Sequence, residues 1–156
     1  MSKYSDRIKR FLDDNNIQAE FLEFDKSVHS VQEAVDVSGF SIDKFTKSIV
    51  MLTDDDDLVI AVVPAENRVS TERVRKALNL PQRPRGINAD ESEKLLGQQL
   101  GGNSPLNAPE AKIFIDPKVL GKDWVLMGGG DDQCLVKIPI KELTRVVTYV
   151  EARVRK

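Results

Sequence analysis

The chain has 156 residues, 40% of them hydrophobic and 31% charged, with a formal net charge of −2. That length suggests a single domain spanning residues 1–156, and that balance supports a buried core and argues against disorder. The acidic balance excludes a protein that coats nucleic acid broadly, though a local basic patch can still grip one end. Cys134 stands alone, which excludes an internal disulfide and suits a reducing, cytosolic setting. The opening MSKYSDRIKRFLDD has no apolar core of a secretory signal, and no run approaches the ~18 apolar residues of a membrane span. A soluble, cytoplasmic protein with no membrane partner is the expectation.

Tyr4, Ile8, Phe11 and Leu12 recur at helical spacing, with Ser2 or Ser5 as N-cap and an end near Asn15-Asn16. Ala19 to Phe24 alternates as a strand. Ser30 with Glu33 forms a capping box for a short helix that stops at Gly39, and Ser41 with Asp43 starts one more turn. Ser48–Leu52 and Leu58–Val63 read as strands buried on both sides, joined by an exposed turn at Asp54–Asp57. After a loop, Ser70 or Thr71 caps a helix with Val74, Ala77 and Leu78 inward. From Glu66 to Arg85 six basic residues (Arg68, Arg73, Arg75, Lys76, Arg83, Arg85) stand against two acidic ones, either a solvated face or a phosphate-attracting surface. Ala89–Leu96 is a helix closed by Gly97, followed by the long turn segment Leu100–Asn107. Lys112–Asp116 is a strand, Asp116-Pro117 caps a short helix, and Trp124–Met127 and Cys134–Ile138 are strands around Gly128-Gly129-Gly130. Pro139 opens a turn of helix through Leu143, Arg145–Val150 is a final strand, and Glu151–Lys156 is a charged tail.

One histidine and one cysteine cannot build a His- or Cys-rich metal site, and the chain holds no HExxH, Walker A loop or GxGxxG opening a helix. No serine sits in a nucleophile elbow. His29 reads as a residue flanking a capped helix, and Cys134, in phase with Val136 and Ile138, as a core thiol. Lys47 is the oddity: an ammonium at the mouth of a buried strand needs either solvent or an anionic partner. The glycine segments allow close backbone approach and can supply an anion nest or oxyanion hole, although such turns are common.

The order of these parts carries a resemblance. His29-Ser30-Val31-Gln32-Glu33-Ala34, then Lys47-Ser48-Ile49-Val50-Met51, then Val62-Val63-Pro64 with Asn67-Arg68-Val69, then Gly101-Gly102-Asn103-Ser104-Pro105 and finally Gly128-Gly129-Gly130 with Leu135 and Pro139 resemble the YbaK and prolyl-tRNA synthetase editing-domain family over residues 27–148. The resemblance implies an α/β (α+β) fold with a mixed, mostly antiparallel central sheet flanked by helices. It implies trans-acting hydrolysis of mischarged aminoacyl-tRNA, without a metal or other cofactor, with the tRNA 3′ end as partner and possible work beside an aminoacyl-tRNA synthetase. Lys47 would hold the 3′-terminal nucleotide. The backbone of Gly101 and Gly102 would position the ester carbonyl. His29, Ser48, Asn103, Ser104, Pro105, Met127, Gly128, Gly129 and Gly130 would shape the substrate site, and Arg68, Arg73 and Arg75 would contact the tRNA backbone.

The chain departs from that pattern. Met127 stands where relatives often have Ser or Ala, Asp131-Asp132 follow the triple glycine where they have basic residues, and Leu106-Asn107 replace an aromatic residue and glycine. Asp131 and Asp132 either meet a substrate α-ammonium or form a solvated turn. The alternative function is a non-catalytic module that binds tRNA 3′ ends, nucleotides or aminoacyl derivatives; a hydrolase of other acyl esters is a third.

Overall fold

A computed structural model describes residues 2–156. Helix α1 (Lys3–Asp14) starts at Ser2, whose hydroxyl accepts from the Ser5 amide while Ser5 answers in a capping box, and buries Ile8 and Leu12. Strand β1 (Glu20–Glu23) follows, shorter at both ends than the alternation suggests. Helix α2 (Val31–Ser38) carries the expected Ser30–Glu33 box and ends at Gly39. A 3-10 turn, Ile42–Lys44, leads into β2 (Thr46–Leu52), and β3 (Leu58–Pro64) returns antiparallel to it, with Lys47 opposite Val63.

Every residue of β3 is buried, as expected for a central strand. Strand β2 is not buried on both sides: Val50, Met51 and Leu52 are, but Lys47 and Ser48 are half-buried and Ile49 is 36% exposed. The cause is a short neighbour that the sequence pattern did not reveal. Helix α3 (Thr71–Leu78), capped by Ser70, leads to β4 (Arg85–Gly86), which pairs only with Met51 and Leu52. Among the described residues, the outer edge of β2 over Thr46–Val50 therefore has no partner strand.

Helix α4 (Ala89–Leu96) is boxed by Asn88 and Glu91 and closed by Gly97. Strand β5 (Lys112–Ile115) lies parallel to β3, and α5 (Pro117–Leu120) is capped by Asp116. Strands β6 (Trp124–Gly128) and β7 (Cys134–Pro139) pair antiparallel, β7 also pairs β1, α6 spans Ile140–Val146, and β8 is Val150–Glu151. The strands form two sheets, β1-β7-β6 and β4-β2-β3-β5-β8, joined by a bridge between Phe45 and Leu126. Antiparallel pairs outnumber the two parallel ones, β3-β5 and β5-β8. The main core lies between the sheets, from Val50, Ile60 and Val62 to Val125, Met127, Val136 and Ile138. Met51, Ala61, Val63 and Phe114 pack on the other face against Val74 of α3.

The carboxy-terminal reading needs two corrections. Arg145–Val150 is not a strand, because α6 continues to Val146. Glu142, 8% exposed, draws Arg145 into an ion pair one helical turn on and accepts the Gln18 amide, which anchors the helix to the segment after α1. Nor is Glu151–Lys156 a free tail: Val154 is fully buried. Asp116 explains it, since its buried carboxylate accepts the amides of Lys118, Val154 and Arg155 and the Arg155 guanidinium. Burial pushes the Asp116 pKa up, but these amides and the guanidinium outweigh it and hold the carboxyl below its usual range.

Two glycine segments meet without room for a side chain. The Gln99 amide donates to the Gly130 carbonyl at 2.8 Å and the Gly130 amide to the Gly102 carbonyl at 2.9 Å. A Cβ on Gly102 would collide with the backbone of Asp131, and one on Gly128 with the carbonyls of Gly102 and Asn103. Gly101 and Gly130 also take left-handed backbone, φ +96° and +99°.

Gly128→Ala is expected to destabilise the protein by about 1–3 kcal/mol, read as a lower denaturant midpoint, because backbone rather than a flexible side chain must give way. Arg145, then the Gln18 amide, hold the Glu142 carboxyl down to about 2, so its stabilisation is present above the usual glutamate range and is lost as pH falls toward about 2. Glu142→Gln should therefore lower the Tm at pH 7, with the gap from wild type closing between about pH 4.5 and 2.

Candidate functional site

The unpaired edge of β2 forms one wall of a cleft of about 440 Å³. Ser48 and Val50 reach it from one face of the strand and Lys47 and Ile49 from the other, because an open edge presents both faces. The start of α2 adds His29 and Val31, the segment after α4 adds Leu100, Gly101 and Asn103, and β6 adds Leu126, Met127 and Gly128. With Gly86 and Ile87 at β4 and Leu135 of β7, the site draws on six separate stretches of chain.

Lys47 is the cation of this cleft. Burial, and then the nearby Arg68 charge, push its pKa below the ordinary lysine value. Among the described residues neither Lys47 nor Arg68 makes an ion pair. Two unneutralised cations beside a cleft attract an anion, which would relieve both the desolvation and the like-charge repulsion.

The rest of the basic cluster is largely spent. Arg75 holds Glu72 through two nitrogens, at 2.7 and 2.8 Å, and donates to the Leu80 carbonyl. Arg83 meets the same Glu72, and Arg85 pairs with Glu91. These arginines hold the Glu72 and Glu91 carboxyls at about 2. Arg73 is exposed and makes no ion pair among the described residues. Of the three arginines assigned to the nucleic-acid backbone, Arg68 and Arg73 remain available and Arg75 is engaged.

The loop residues divide in the same way. The Gly102 amide donates to the Gln99 carbonyl at 2.9 Å, so it is not a free donor. The amides of Gly101 and Asn103 have no acceptor among the described residues. His29, exposed on the rim, packs its ring directly over Gly101, where any Cβ would collide with it. Ser104 is fully buried, accepting the Leu106 amide and donating to the Met127 sulfur at 3.8 Å. Pro105 faces a different hollow of about 520 Å³ on the far side of the loop, with Phe11 and Tyr149. Gly130 supports the loop from behind through its amide bond to the Gly102 carbonyl, Gly129 donates to the Cys134 carbonyl, and neither lines the cleft. Ser48 is unusual: its hydroxyl oxygen is closed to solvent and has no partner among the described residues.

Asp131 is neither a cleft residue nor a solvated turn. Its buried carboxylate accepts the Ser2 hydroxyl at 2.5 Å and the Gln133 amide at 3.0 Å. Burial raises its pKa, and the Ser2 hydroxyl and Gln133 amide more than reverse this. Cys134 beside it is buried, and burial followed by the Asp131 carboxylate pushes the thiol up to about 12, so it is a core thiol at neutral pH. Among the described residues no three His, Cys, Asp or Glu side chains gather as a metal site would need, and no helix is long and apolar enough to cross a membrane. Sequence reasoning missed Gln98, a buried carboxamide beneath the loop; a polar residue just after a helix-closing glycine gives no sign of being internal.

Known proteins share this fold. The chain is 20% identical over 130 residues to the uncharacterized protein YwhH of Bacillus subtilis (strain 168), covering 83% of this chain and 82% of that one. Its fold matches a proposed trans-editing enzyme for prolyl-tRNA synthetase with a TM-score of 0.88 at 21% identity, covering 100% and 99% of the two chains. It also matches the hypothetical protein APE2540 with a TM-score of 0.86 at 22% identity, covering 96% and 99%. The sequence model of the aminoacyl-tRNA editing domain matches residues 25–146. This chain belongs to the aminoacyl-tRNA editing domain family.

Proposed function

We propose that this protein is a trans-acting aminoacyl-tRNA deacylase whose residues 1–156 act as one editing unit in the cytoplasm. The observation that carries the reading is the pairing, across one cleft, of the Lys47 cation, with the Arg68 charge near it and no ion pair among the described residues, with a loop whose Gly101 and Asn103 amides lack acceptors. Lys47, with Arg68 behind it, holds a phosphate of the 3′-terminal nucleotide of tRNA, as a point charge that gains a counter-ion on binding. Arg73 adds a contact to the tRNA backbone, and Arg75 braces α3 through Glu72 instead.

The ester carbonyl lies against the loop, where the Gly101 amide, with the Asn103 amide beside it, stabilises the developing oxyanion. Water adds to the carbonyl carbon, the bond to the ribose oxygen breaks, and the free amino acid and the terminal hydroxyl are restored. No metal takes part. Holding the ester and the water in register supplies much of the required acceleration, because the reaction becomes effectively unimolecular. His29 covers Gly101 at the rim, and Met127 and Gly128 close the far wall. An aminoacyl-tRNA synthetase that releases the mischarged tRNA is the natural upstream partner.

The deciding experiment is release of amino acid from alanyl-, cysteinyl- and seryl-tRNA on several tRNA bodies, with and without chelator. Chelator-insensitive turnover of one or two members is expected. Stoichiometric protection of the ester without release would instead make the protein a binding module.

Lys47→Ala is expected to stay folded, since it removes a partly desolvated cation with no counter-ion, and to slow deacylation at least ~10-fold. An unchanged rate in the folded variant removes Lys47 from the site. The unpartnered Ser48 hydroxyl costs stability, of order 1–3 kcal/mol for a buried polar group left unpaired. Ser48→Ala should therefore hold or raise the Tm. A lower Tm would mean that the hydroxyl has a structural partner.

A further inference from the structure

Among the described residues the cleft is lined by Lys47 and His29 but by no aspartate or glutamate. An aminoacyl ester nevertheless carries an α-ammonium, whose N–H donors must find oxygen once water is displaced. The Ser30 hydroxyl already accepts the Glu33 amide, the Thr46 hydroxyl donates to the Leu126 carbonyl, and the Ser48 oxygen is closed off. Asn103 Oδ1 is the one side-chain oxygen of the cleft that, among the described residues, makes no hydrogen bond and keeps solvent contact.

Its orientation is determined by what lies beneath. Gln98, 1% exposed, donates its Nε2 to the Ser104 carbonyl at 3.0 Å and to the Leu106 carbonyl at 3.4 Å. Its Oε1 accepts the Ser104 amide at 3.0 Å, so the two ends of the carboxamide cannot be exchanged. That same oxygen accepts Asn103 Nδ2 at 3.1 Å, and the Ser92 hydroxyl accepts Nδ2 at 2.9 Å while donating to the Gln98 carbonyl. Both N–H groups of Asn103 thus point inward to buried acceptors. Its Oδ1 accepts nothing from the protein and keeps solvent contact at the cleft, since Ser48 Oγ alone is a sealed, unpartnered side-chain atom among the described residues.

We propose that Asn103 Oδ1 receives the α-ammonium of the bound aminoacyl group, and that Gln98 is the positioning residue that aims it. This rests on the aminoacyl-tRNA reading of the cleft. It makes the free amine a specificity determinant. N-acylation removes the charge, leaves a single N–H and adds bulk, so N-blocked aminoacyl and peptidyl groups are rejected while free aminoacyl groups are accepted.

The test uses non-hydrolysable 3′-aminoacylamino-3′-deoxyadenosines carrying alanyl, seryl or cysteinyl groups, each with a free and an N-acetylated amine, titrated calorimetrically. Wild-type protein is expected to bind at least one free-amine analogue ~10-fold or more tighter than its acetylated form. In Asn103→Ala and Gln98→Ala the ratio should fall to within about two-fold through loss of free-amine affinity, with the acetylated analogue bound as before. A general collapse of the loop would weaken both analogues together and would overturn the positioning role. Equal wild-type affinity for the two forms, or no binding of any free-amine analogue, overturns the proposal even if neither variant folds. Discrimination without turnover of charged tRNA would keep Asn103 and remove the deacylase reading; turnover without discrimination would do the reverse.

Discussion

Everything at the cleft depends on a contact in which two stretches of backbone touch with nothing between them. The loop through Gly102 and the turn through Gly128 approach so closely that a Cβ on either glycine would strike the main chain of the other segment. Hydrogen bonds between Gln99, Gly102 and Gly130 close the contact. Because main chain cannot rotate away as a side chain can, the loop has little freedom to drift from the end of β6. That places Gly101 and Asn103 opposite the open edge of β2, where the lysine stands. Gln98 and Gln99 then act as two ties, one inward to the loop and one outward to the turn.

Charge at the site follows from subtraction. In the sequence a cluster of six basic residues reads as a broad cationic surface, but Glu72 and Glu91 absorb three of them, Arg75, Arg83 and Arg85. Two carboxylates placed within reach of three guanidiniums leave Arg68, Arg73 and Lys76 without ion pairs among the described residues, with Lys47 close to Arg68. This fits a protein of net charge −2 that engages one end of a polyanion. The cleft itself lacks carboxylates among the described residues, so a cationic part of any ligand is left to neutral oxygen, and orientation must come from a held amide.

Local signals were legible wherever the physics was local. The Ser30–Glu33 box, the Asp116-Pro117 start and the glycine stops depend on neighbours three or four residues away, so those helices formed where their sequences indicated. The order of motifs from His29 to Pro139 also sufficed to indicate the family. What failed needed distant partners. Arg145–Val150 has the β-branched content of a strand, yet the Glu142 carboxylate, tied to Gln18 and Arg145, keeps its first residues helical. The tail reads as solvated until the Asp116 carboxylate, some forty residues earlier, collects its amides.

The sequence by itself therefore determined the helix boundaries set by caps, the buried central strand, the mixed sheet and family membership, because each rests on periodicity, short-range hydrogen bonding or motif order. Only the tertiary structure decided which candidate residues share a cleft. It separated Gly101, whose amide is unsatisfied, from Gly102, whose amide is not, and Arg68 from Arg75. It withdrew Asp131 into a bond with Ser2 and brought Asn103, aimed by Gln98, to the cleft instead. The physical reason is the same in each case. Whether a donor, acceptor or charge is available depends on what has already satisfied it, and those partners lie far away along the chain.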